Sequence, residues 1–534
     1  AVLLVVATAV FLILLLKYHL ALIFVPIPLD VFEGTMPLIS GLLAAGENPY
    51  APAHQPLYVN AYPGLYNLLM APATLLVGNS LMLHRAVSAL FIGGSCLLVA
   101  FVLRQMQLAP RFVIAACALL YAGLLFYSTP LASPNSAGLF FFLCSLLWPL
   151  MARFSTRSLW LAGLCVVLAF YCKQYFVLGL PFLASYMFLF LSMRKALWFG
   201  VGTGLVLLVS LYLVQLGSPH FIDNTILSLG NIVYAIDNSR SVYLQLGEYL
   251  RYYLGLLVFV GLLWISSRGA AAPPVLAEHL TETEDGRPVS RVLDRPLLRW
   301  RMSLPLYCLL ASVLVIVFVL GRNPGNYMTY LFQLMSPFLL LVSFSFCLGR
   351  ERLAGLLAPF LLWGFYSAYE LLPVDLHYET QPWWEIDQLI LENQKIFNST
   401  ILVMALLERD RQVFHGGLSS MFPFAAGEAG TLLFGPGHSR SIGERWNAYA
   451  RDINRKIEAQ EFDLLIIKPA EYRFFLVKPD IAQALVPLAN PALIRAHYKN
   501  LREIDVSLTE RHGGGSHTLQ VWGRRDDVTP AAQR

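Results

Sequence analysis

Long apolar segments recur along the first 372 residues, and short polar segments separate them. Segments of this length and composition predict α-helices that cross a membrane. Placing most Lys and Arg residues on one side, as the positive-inside bias requires, gives about eleven spans. The predicted spans are 3–24, 86–103, 112–128, 137–152, 158–172, 175–192, 196–216, 249–266, 303–321, 328–347 and 353–372.

The chain carries no Lys or Arg between Lys17 and Arg85, which makes residues 25–85 a large loop on the outer side. Two short apolar stretches lie within this loop, at 34–45 and 62–78. Counting the second as a crossing would reverse every later connection and break the charge bias. We therefore expect both stretches to form helices that lie at the outer membrane surface.

Charged residues become frequent after residue 372, where the pattern changes to short strands and amphipathic helices. Strand-like runs occur at 462–469 and 517–523, and a helical pattern occurs at 441–460. The sequence predicts a transmembrane module, residues 1–372, followed by an extracytoplasmic α/β domain, residues 373–534. The stretch 267–302, rich in Pro, Glu and Arg, is predicted to be a connector on the inner side.

Composition agrees with a polytopic α-helical membrane protein. Hydrophobic residues make up 57% of the chain, charged residues only 13%, and the mean hydropathy is +0.60. The net charge of +5 is small and spread over many loops, which argues against nucleic-acid binding. The seven cysteines show neither a disulfide framework nor metal-type spacing. No cofactor is predicted, no nucleotide-binding glycine motif is present, and a divalent metal is left open.

Polar residues that stand out in these apolar surroundings cluster in three places on the predicted outer side. The first loop holds Asp30, Glu33, His54, Tyr58 and Tyr62, the segment "YCKQYF" holds Lys173 and Gln174, and the segment "GRNPGNY" holds Arg322, Asn326 and Tyr327. A charge at the bilayer centre costs about 2.5–3.5 kcal/mol on insertion scales. Repeated placement of polar groups near one face therefore predicts a shared polar cavity.

Each candidate also has a purely structural interpretation. Asp30 and Glu33 have the spacing of a helix capping box, in which the first residue caps the helix and the second reaches back. Lys173 and Arg322 can extend their charges to the membrane surface from span ends. His54 lies in a Pro-rich loop, and the tyrosines of the outer loop are typical of an interfacial aromatic belt.

Several short motifs occur in an order that resembles the GT-C superfamily of membrane glycosyltransferases. The motifs are "FEG" (32–34), "GENPY" (46–50), "YPGLY" (62–66), "RAVSAL" (85–90), "KQYF" (173–176) and "NY" (326–327). The nearest members look like bacterial relatives of protein O-mannosyltransferases and lipid A aminoarabinose transferase. The resemblance covers about residues 10–350, and it rests on motif order, since each motif alone is weakly specific.

The resemblance implies inverting transfer of a sugar from a polyprenyl-phosphate donor to an envelope lipid, glycan or protein at the outer face of the plasma membrane. Asp30 or Glu33 would be the general base, and Lys173 and Arg322 would bind the donor phosphate. The substrate-binding residues would be His54, Tyr58, Tyr62, Gln174, Asn326 and Tyr327. Phe32 replaces the first of two adjacent acids often found in the family, so the identity of the base stays open, with Asp30 slightly favoured.

Two other classes of function remain open from the sequence. A lipid-linked glycan polymerase or ligase would favour basic residues in the large outer loop, which has none before Arg85. A transporter or flippase would show paired hydropathy repeats with broken helices, and no such symmetry is evident. The sugar, the acceptor, the lipid length and the oligomeric state are not given by the sequence.

Overall fold

A computed structural model of the chain provides the coordinates. It describes residues 2–30, 33–126, 129–228, 239–266, 303–320, 327–372, 381–416, 419–426, 428–468, 485–506 and 518–525. The predicted inner connector, 267–302, lies outside the described residues.

Helices, most of them apolar, build the first part of the chain. They are α1 Val2–Phe24, α2 Thr35–Ala44, α3 Leu65–Val77, α4 Leu81–Gln105, α5 Pro110–Leu124, α6 Asn135–Met151, α7 Thr156–Cys172, α8 Gly179–Phe190, α9 Met193–Gly217, α10 Ser239–Tyr252, α11 Leu254–Ser266, α12 Leu304–Phe318, α13 Tyr327–Tyr330, α14 Ser336–Ser345, α15 Glu351–Leu356 and α16 Ala358–Glu370. Many of their apolar side chains face outward. Large exposed apolar surfaces are typical of contact with lipid.

Within the described part of the chain, α1, α4 and α9 are long and apolar enough to cross a membrane singly. The helical pair Leu244–Tyr252 and Leu254–Ser266 qualifies as a fourth candidate, but it bends by 63°. The other apolar helices are shorter, between 10 and 17 residues. The protein is therefore a helical membrane protein, whereas the number of eleven spans stays a prediction.

The structure differs from several predicted spans. The predicted span 353–372 is interrupted by a turn at Leu357 between α15 and α16. The predicted span 249–266 is not one helix, because the chain breaks at Tyr253 between α10 and α11. The predicted span 328–347 contains a π-helical turn at Leu331–Met335 between α13 and α14. Such turns often occur at functional sites, where they redirect side chains of an otherwise regular helix.

The helices predicted within the outer loop are present as α2 and α3. Their predicted position at the membrane surface stays a prediction. Asn67 of α3 donates hydrogen bonds to the Met36 carbonyl at 3.0 Å and to the Ser40 hydroxyl at 3.1 Å, both on α2. Because Asn67 is fully buried, these bonds fix the two helices against each other.

A small four-stranded sheet lies in the C-terminal part. Its strands β1 Ile396–Asn398, β2 Leu464–Ile467, β3 Tyr498–Asp505 and β4 Thr518–Arg524 are ordered β1-β2-β4-β3. The first two are parallel and the other pairs antiparallel. The helices are α17 Gln381–Glu392, α18 Val403–Leu407, α19 Glu428–Phe434, α20 Pro436–Glu458 and α21 Pro491–His497. The predicted strands at 462–469 and 517–523 and the helix at 441–460 are confirmed as β2, β4 and α20.

The outer loop packs directly on this C-terminal part. Val59 and Ala61 are buried in the same apolar cluster as Trp446 of α20. The Ser419 hydroxyl donates to the Leu57 carbonyl at 2.8 Å. A Cβ built on Gly416 would lie 2.1 Å from that carbonyl oxygen, so the two backbones approach too closely for any larger residue. The outer loop is thus held against the C-terminal part at Leu57, Val59 and Ala61.

Candidate active site

Glu33 and Arg85 form a fully buried ion pair at the base of the outer loop. The Arg85 Nε and Nη2 atoms donate to the two Glu33 carboxylate oxygens at 2.7 and 2.6 Å. The backbone N–H groups of Leu29 and Ala132 donate to the same two oxygens at 2.8 and 3.0 Å. Each oxygen therefore accepts two hydrogen bonds, and the carboxylate has no remaining acceptor capacity for a substrate proton.

The Arg85 guanidinium is equally saturated. Besides Glu33, it donates to the carbonyls of Leu22 at 3.0 Å, Val25 at 2.5 Å and Ile27 at 2.8 Å. These carbonyls lie at or just beyond the C-terminal end of α1, where helical carbonyls lack partners within the helix. The pair therefore ties the end of α1 to α4 and to the start of α2.

The predicted capping box does not form. The helix α2 begins at Thr35, its N-cap residue is Gly34, and no side chain caps it. Glu33 reaches back to the N–H of Leu29 rather than to that of Asp30. The Glu33 carboxylate instead forms an ion pair with Arg85, because a buried guanidinium requires an opposite charge beside it. Asp30 thus has a different role from that of a helix cap.

Asp30 lies half-buried beside a second cation, Lys173. Burial lowers the pKa of the Lys173 ammonium to about 7, and the nearby Asp30 charge opposes this shift. Burial also raises the pKa of Tyr62 well above its ordinary value, and Asp30 raises it further. The charge of Asp30 acts on both groups, so the half-buried carboxylate lies in the neighbourhood of Lys173 and Tyr62.

Lys173 follows the last residue of α7 and is buried. Its ammonium donates to the Asn135 side-chain carbonyl at the start of α6. The nitrogen also lies 5.0 Å from the centre of the Tyr62 ring and 5.3 Å from that of Tyr175. Aromatic faces attract a cation but offer no lone pairs that compete for it. The ammonium is therefore oriented by its neighbours without a carboxylate within ion-pair distance among the described residues.

A chain of polar side chains continues from this cluster towards the π-helical turn. The Tyr175 hydroxyl donates to the Gln333 side-chain carbonyl, and Gln333 donates to the Thr129 hydroxyl at 2.7 Å. The Tyr175 ring packs edge-on against Tyr330, with 4.9 Å between centroids. Gln333 lies within the turn Leu331–Met335, so the irregular backbone presents a polar side chain to the cluster.

The structure brings some predicted substrate-binding residues to this cluster and leaves others away from it. Gln174 is adjacent, but its amide donates to the backbone carbonyls of Ala61 and Thr225 at 2.6 and 2.5 Å, which holds the loop in place. His54 pairs with Glu47 at 3.2 Å, and its ring lies 5.5 Å from that of Tyr58. The described side chains that contact the Lys173 ammonium are those of Asn135, Tyr62 and Tyr175, and neither His54 nor Tyr58 is among them.

Three predicted residues of the late loop cannot be placed. Arg322 and Asn326 lie outside the described residues, as does the side chain of Tyr327. Their predicted roles in binding the donor phosphate and the sugar stay predictions.

Sequence reasoning missed Asn135, Tyr175 and Gln333 as members of the cluster, and it missed Arg85 as the partner of Glu33. Asn135 is a single amide just before the predicted span 137–152, and Tyr175 was included only in the motif "KQYF". Arg85 had one signal, since it is the first basic residue after Lys17. Gln333 had none, because one amide within an apolar segment is not informative.

A second polar cluster links the membrane module to the C-terminal part. Asp223, buried in a π-helical turn after α9, lies 2.8 Å from His220 Nδ1 and 2.8 Å from His438 Nε2. Among the described residues, no group of three or more His, Cys, Asp or Glu side chains is arranged to hold a metal ion. The contact between Asp223 and His438 joins two chain segments that are 215 residues apart in sequence.

No protein-family model matches the chain, and no curated protein matches it. The chain is similar to two crystal structures of ArnT from Cupriavidus metallidurans. For the structure bound to undecaprenyl phosphate the TM-score is 0.48 at 16% identity, covering 97% of this chain and 99% of that one. For the apo structure the TM-score is 0.49 at 14% identity, and the match covers 97% of this chain and 98% of that one.

Proposed function

We propose that this protein is a glycosyltransferase that moves a sugar from a polyprenyl-phosphate donor to an envelope acceptor at the outer face of the plasma membrane. The observation that carries the proposal is the buried ammonium of Lys173, which lies 5.0 and 5.3 Å from the ring centres of Tyr62 and Tyr175 and whose pKa the nearby charge of Asp30 raises against the larger effect of burial. One carboxylate and one buried cation, placed among aromatic rings at the ends of apolar helices, suit an anionic lipid-linked sugar.

Asp30 is the proposed general base. It takes the proton from the acceptor hydroxyl as that oxygen attacks the anomeric carbon of the sugar. The new bond joins acceptor oxygen to anomeric carbon, and the bond from that carbon to the phosphate oxygen breaks with inversion. Glu33 is a poor alternative, because Arg85 and two backbone N–H groups already occupy both of its oxygens.

Lys173 is the proposed donor phosphate ligand. The phosphate gains negative charge as it leaves, and a nearby ammonium stabilises that charge most where water is excluded. In the ligand-free protein the ammonium is held by Asn135, Tyr62 and Tyr175, none of which is charged to neutralise it. Arg322, whose placement is not described, is the second proposed phosphate ligand. The undecaprenyl phosphate bound by one similar structure is a lipid of the class proposed here.

Tyr62, Tyr175 and Gln333 are proposed to bind the sugar. Their rings and amide lie around Lys173, so a sugar linked to the bound phosphate would meet them. The C-terminal part packs on the outer loop that carries Asp30 and Tyr62, which suits a role in covering the cavity or binding the acceptor. A resident metal is not needed, since the lipid phosphate is already a good leaving group.

A transporter or flippase is the second candidate, favoured by the 63° break between α10 and α11. Purified protein in vesicles, supplied with a radiolabelled polyprenyl-phosphate sugar, separates the two. A transferase releases free polyprenyl phosphate only when acceptor is present, and Asp30→Asn abolishes the release. A flippase moves the intact donor across the bilayer and releases none. Intact donor after testing lipid, glycan and protein acceptors would contradict the proposal.

A further inference from the structure

The C-terminal part carries an exposed apolar tip at the end of α19. Leu432 is 86% exposed and Leu433 63% exposed, and Phe434 beside them is also exposed. These are consecutive residues of the sequence "TLLFG". A water-facing domain rarely displays three adjacent large apolar side chains without a partner.

The position of this tip relative to the membrane helices follows from polar contacts. His438, near the start of α20, binds Asp223 at 2.8 Å, and Phe434 packs on the His438 ring at 4.9 Å between centroids. Asp223 begins the turn that follows shortly after Gly217, the last residue of α9. The tip therefore lies close to the C-terminal end of α9.

The neighbouring end of α9 is itself a lipid-facing surface. The helix is one of the described segments long and apolar enough to cross a membrane. Tyr212, Leu213 and Leu216, close to its C-terminal end, are all exposed in the structure. An aromatic residue near a span end is typical of the membrane–water interface. The apolar tip and this helix end are thus adjacent parts of one apolar surface, followed on α20 by the exposed Arg440.

We infer that Leu432, Leu433 and Phe434 insert into the lipid leaflet beside α9 and hold the C-terminal part on the membrane. The occupant of this surface is the bilayer, because the surface continues the lipid-facing side of a membrane span. Arg440 lies where a cation would meet lipid phosphate groups. The inference does not depend on the proposed glycosyl transfer or on which side of the membrane α9 ends.

The test uses the full chain in vesicles of phosphatidylethanolamine and phosphatidylglycerol that carry a radiolabelled, otherwise unmodified acyl chain. The photoreactive residue p-benzoylphenylalanine replaces Leu432 in one variant and Leu433 in a second. A third variant places it at Leu501, an exposed leucine of β3 that serves as the matched control. All three positions are exposed, so wild-type folding is expected and is checked by gel filtration.

Irradiation is expected to attach radiolabelled lipid at positions 432 and 433 at least ten times more strongly than at 501. Lipid labelling at both tip positions no stronger than at 501 would overturn the inference. Cross-linking of the tip to a second copy of the chain in place of lipid would also overturn it, since the surface would then be a protein interface.

Discussion

Two carboxylates at the start of the outer loop, Asp30 and Glu33, have opposite surroundings. Glu33 is fully buried, and each of its oxygens accepts two hydrogen bonds. Asp30 is half-buried and acts electrostatically on Lys173 and Tyr62. A saturated carboxylate stabilises structure, whereas one beside an oriented cation and aromatic rings can meet a substrate. Sequence spacing alone does not separate the two roles, whereas the four hydrogen bonds that the Glu33 carboxylate accepts argue against Glu33 as a base.

The largest expected effect is the loss of transfer when Asp30 is replaced. General-base catalysis contributes about 10²–10⁴-fold, so Asp30→Asn should lower the rate of sugar transfer by that factor. The melting temperature should stay close to that of the wild type, because Asp30 is not part of the buried ion pair. Transfer assays with radiolabelled donor, together with thermal unfolding, measure both quantities. Wild-type activity in Asp30→Asn would remove it from the mechanism.

Breaking the buried pair should instead reduce stability. Removing one partner of a buried ion pair costs about 3–5 kcal/mol in the free energy of unfolding. Glu33→Gln and Arg85→Met should each show this loss, and the double variant should lose less than the sum. Asp387→Asn is the control, because the Asp387–Arg409 pair is partly exposed and such pairs contribute about 0–1 kcal/mol. Equal losses in the buried and exposed variants would contradict the assignment.

Removing the buried Lys173 ammonium should reduce the rate of sugar transfer without a comparable loss of stability. Preorganised charge at a developing anion contributes about 10²–10³-fold, which sets the expected effect of Lys173→Met. Loss of an ammonium that is costly to bury should not destabilise the protein. Lys499→Met, at an exposed lysine of β3, is the matched control. Full activity in Lys173→Met would mean that another group binds the phosphate.

The pH dependence provides a sharper test of the same cation. Because burial lowers the pKa of Lys173 to about 7, the ligand-free ammonium loses its proton as the pH rises through 7. Donor binding should therefore weaken above pH 7, and Lys173→Arg, which stays charged, should flatten this profile. This group alone should also make stability rise with pH above 7, up to the ordinary lysine range, because the unfolded chain binds the extra proton. Donor binding that strengthens above pH 7 would contradict this account.

The smallest expected effect concerns the hydrogen bonds beyond Lys173. Tyr175→Phe removes the bond to Gln333, and a net hydrogen bond contributes about 1 kcal/mol, or roughly 5-fold in rate. Thr129→Val removes the next bond in the chain. If the residues act as a unit, the double variant should lose less than the product of the two single losses. Strictly multiplicative losses would mean that they act independently.

The sequence predicts local features of this protein better than its long-range pairs. Hydropathy and charge bias predict a helical membrane protein, a short apolar run predicts β2, and an alternating pattern predicts β4. β1 has only three residues, and β3 has five consecutive exposed positions, so neither shows a strand pattern. Both halves of the predicted span 249–266 are helical, but no proline marks the break at Tyr253, and the nearest glycine, Gly255, lies within the helix that follows.

The candidate site was only partly predictable for the same reason. Asp30, Tyr62 and Lys173 stand out as polar residues in apolar surroundings, and the structure places them together. Glu33 stands out equally, yet its ion-pair partner Arg85 lies 52 residues away along the chain. Tyr175 and Gln333 are 158 residues apart. Side-chain contacts between residues this far apart in sequence depend on how the helices pack, and a local sequence pattern carries no information on that packing.

The central claim is that Asp30 acts on substrate while Glu33 supports the fold. The most direct measurement uses one set of preparations of wild type, Asp30→Asn and Glu33→Gln in lipid vesicles. Each is assayed for acceptor-dependent release of polyprenyl phosphate and for thermal unfolding. The account predicts that Asp30→Asn loses at least 100-fold in release with an unchanged melting temperature, while Glu33→Gln has a lowered melting temperature. A Glu33→Gln protein that melts like the wild type but releases no lipid phosphate, beside a fully active Asp30→Asn, would contradict it.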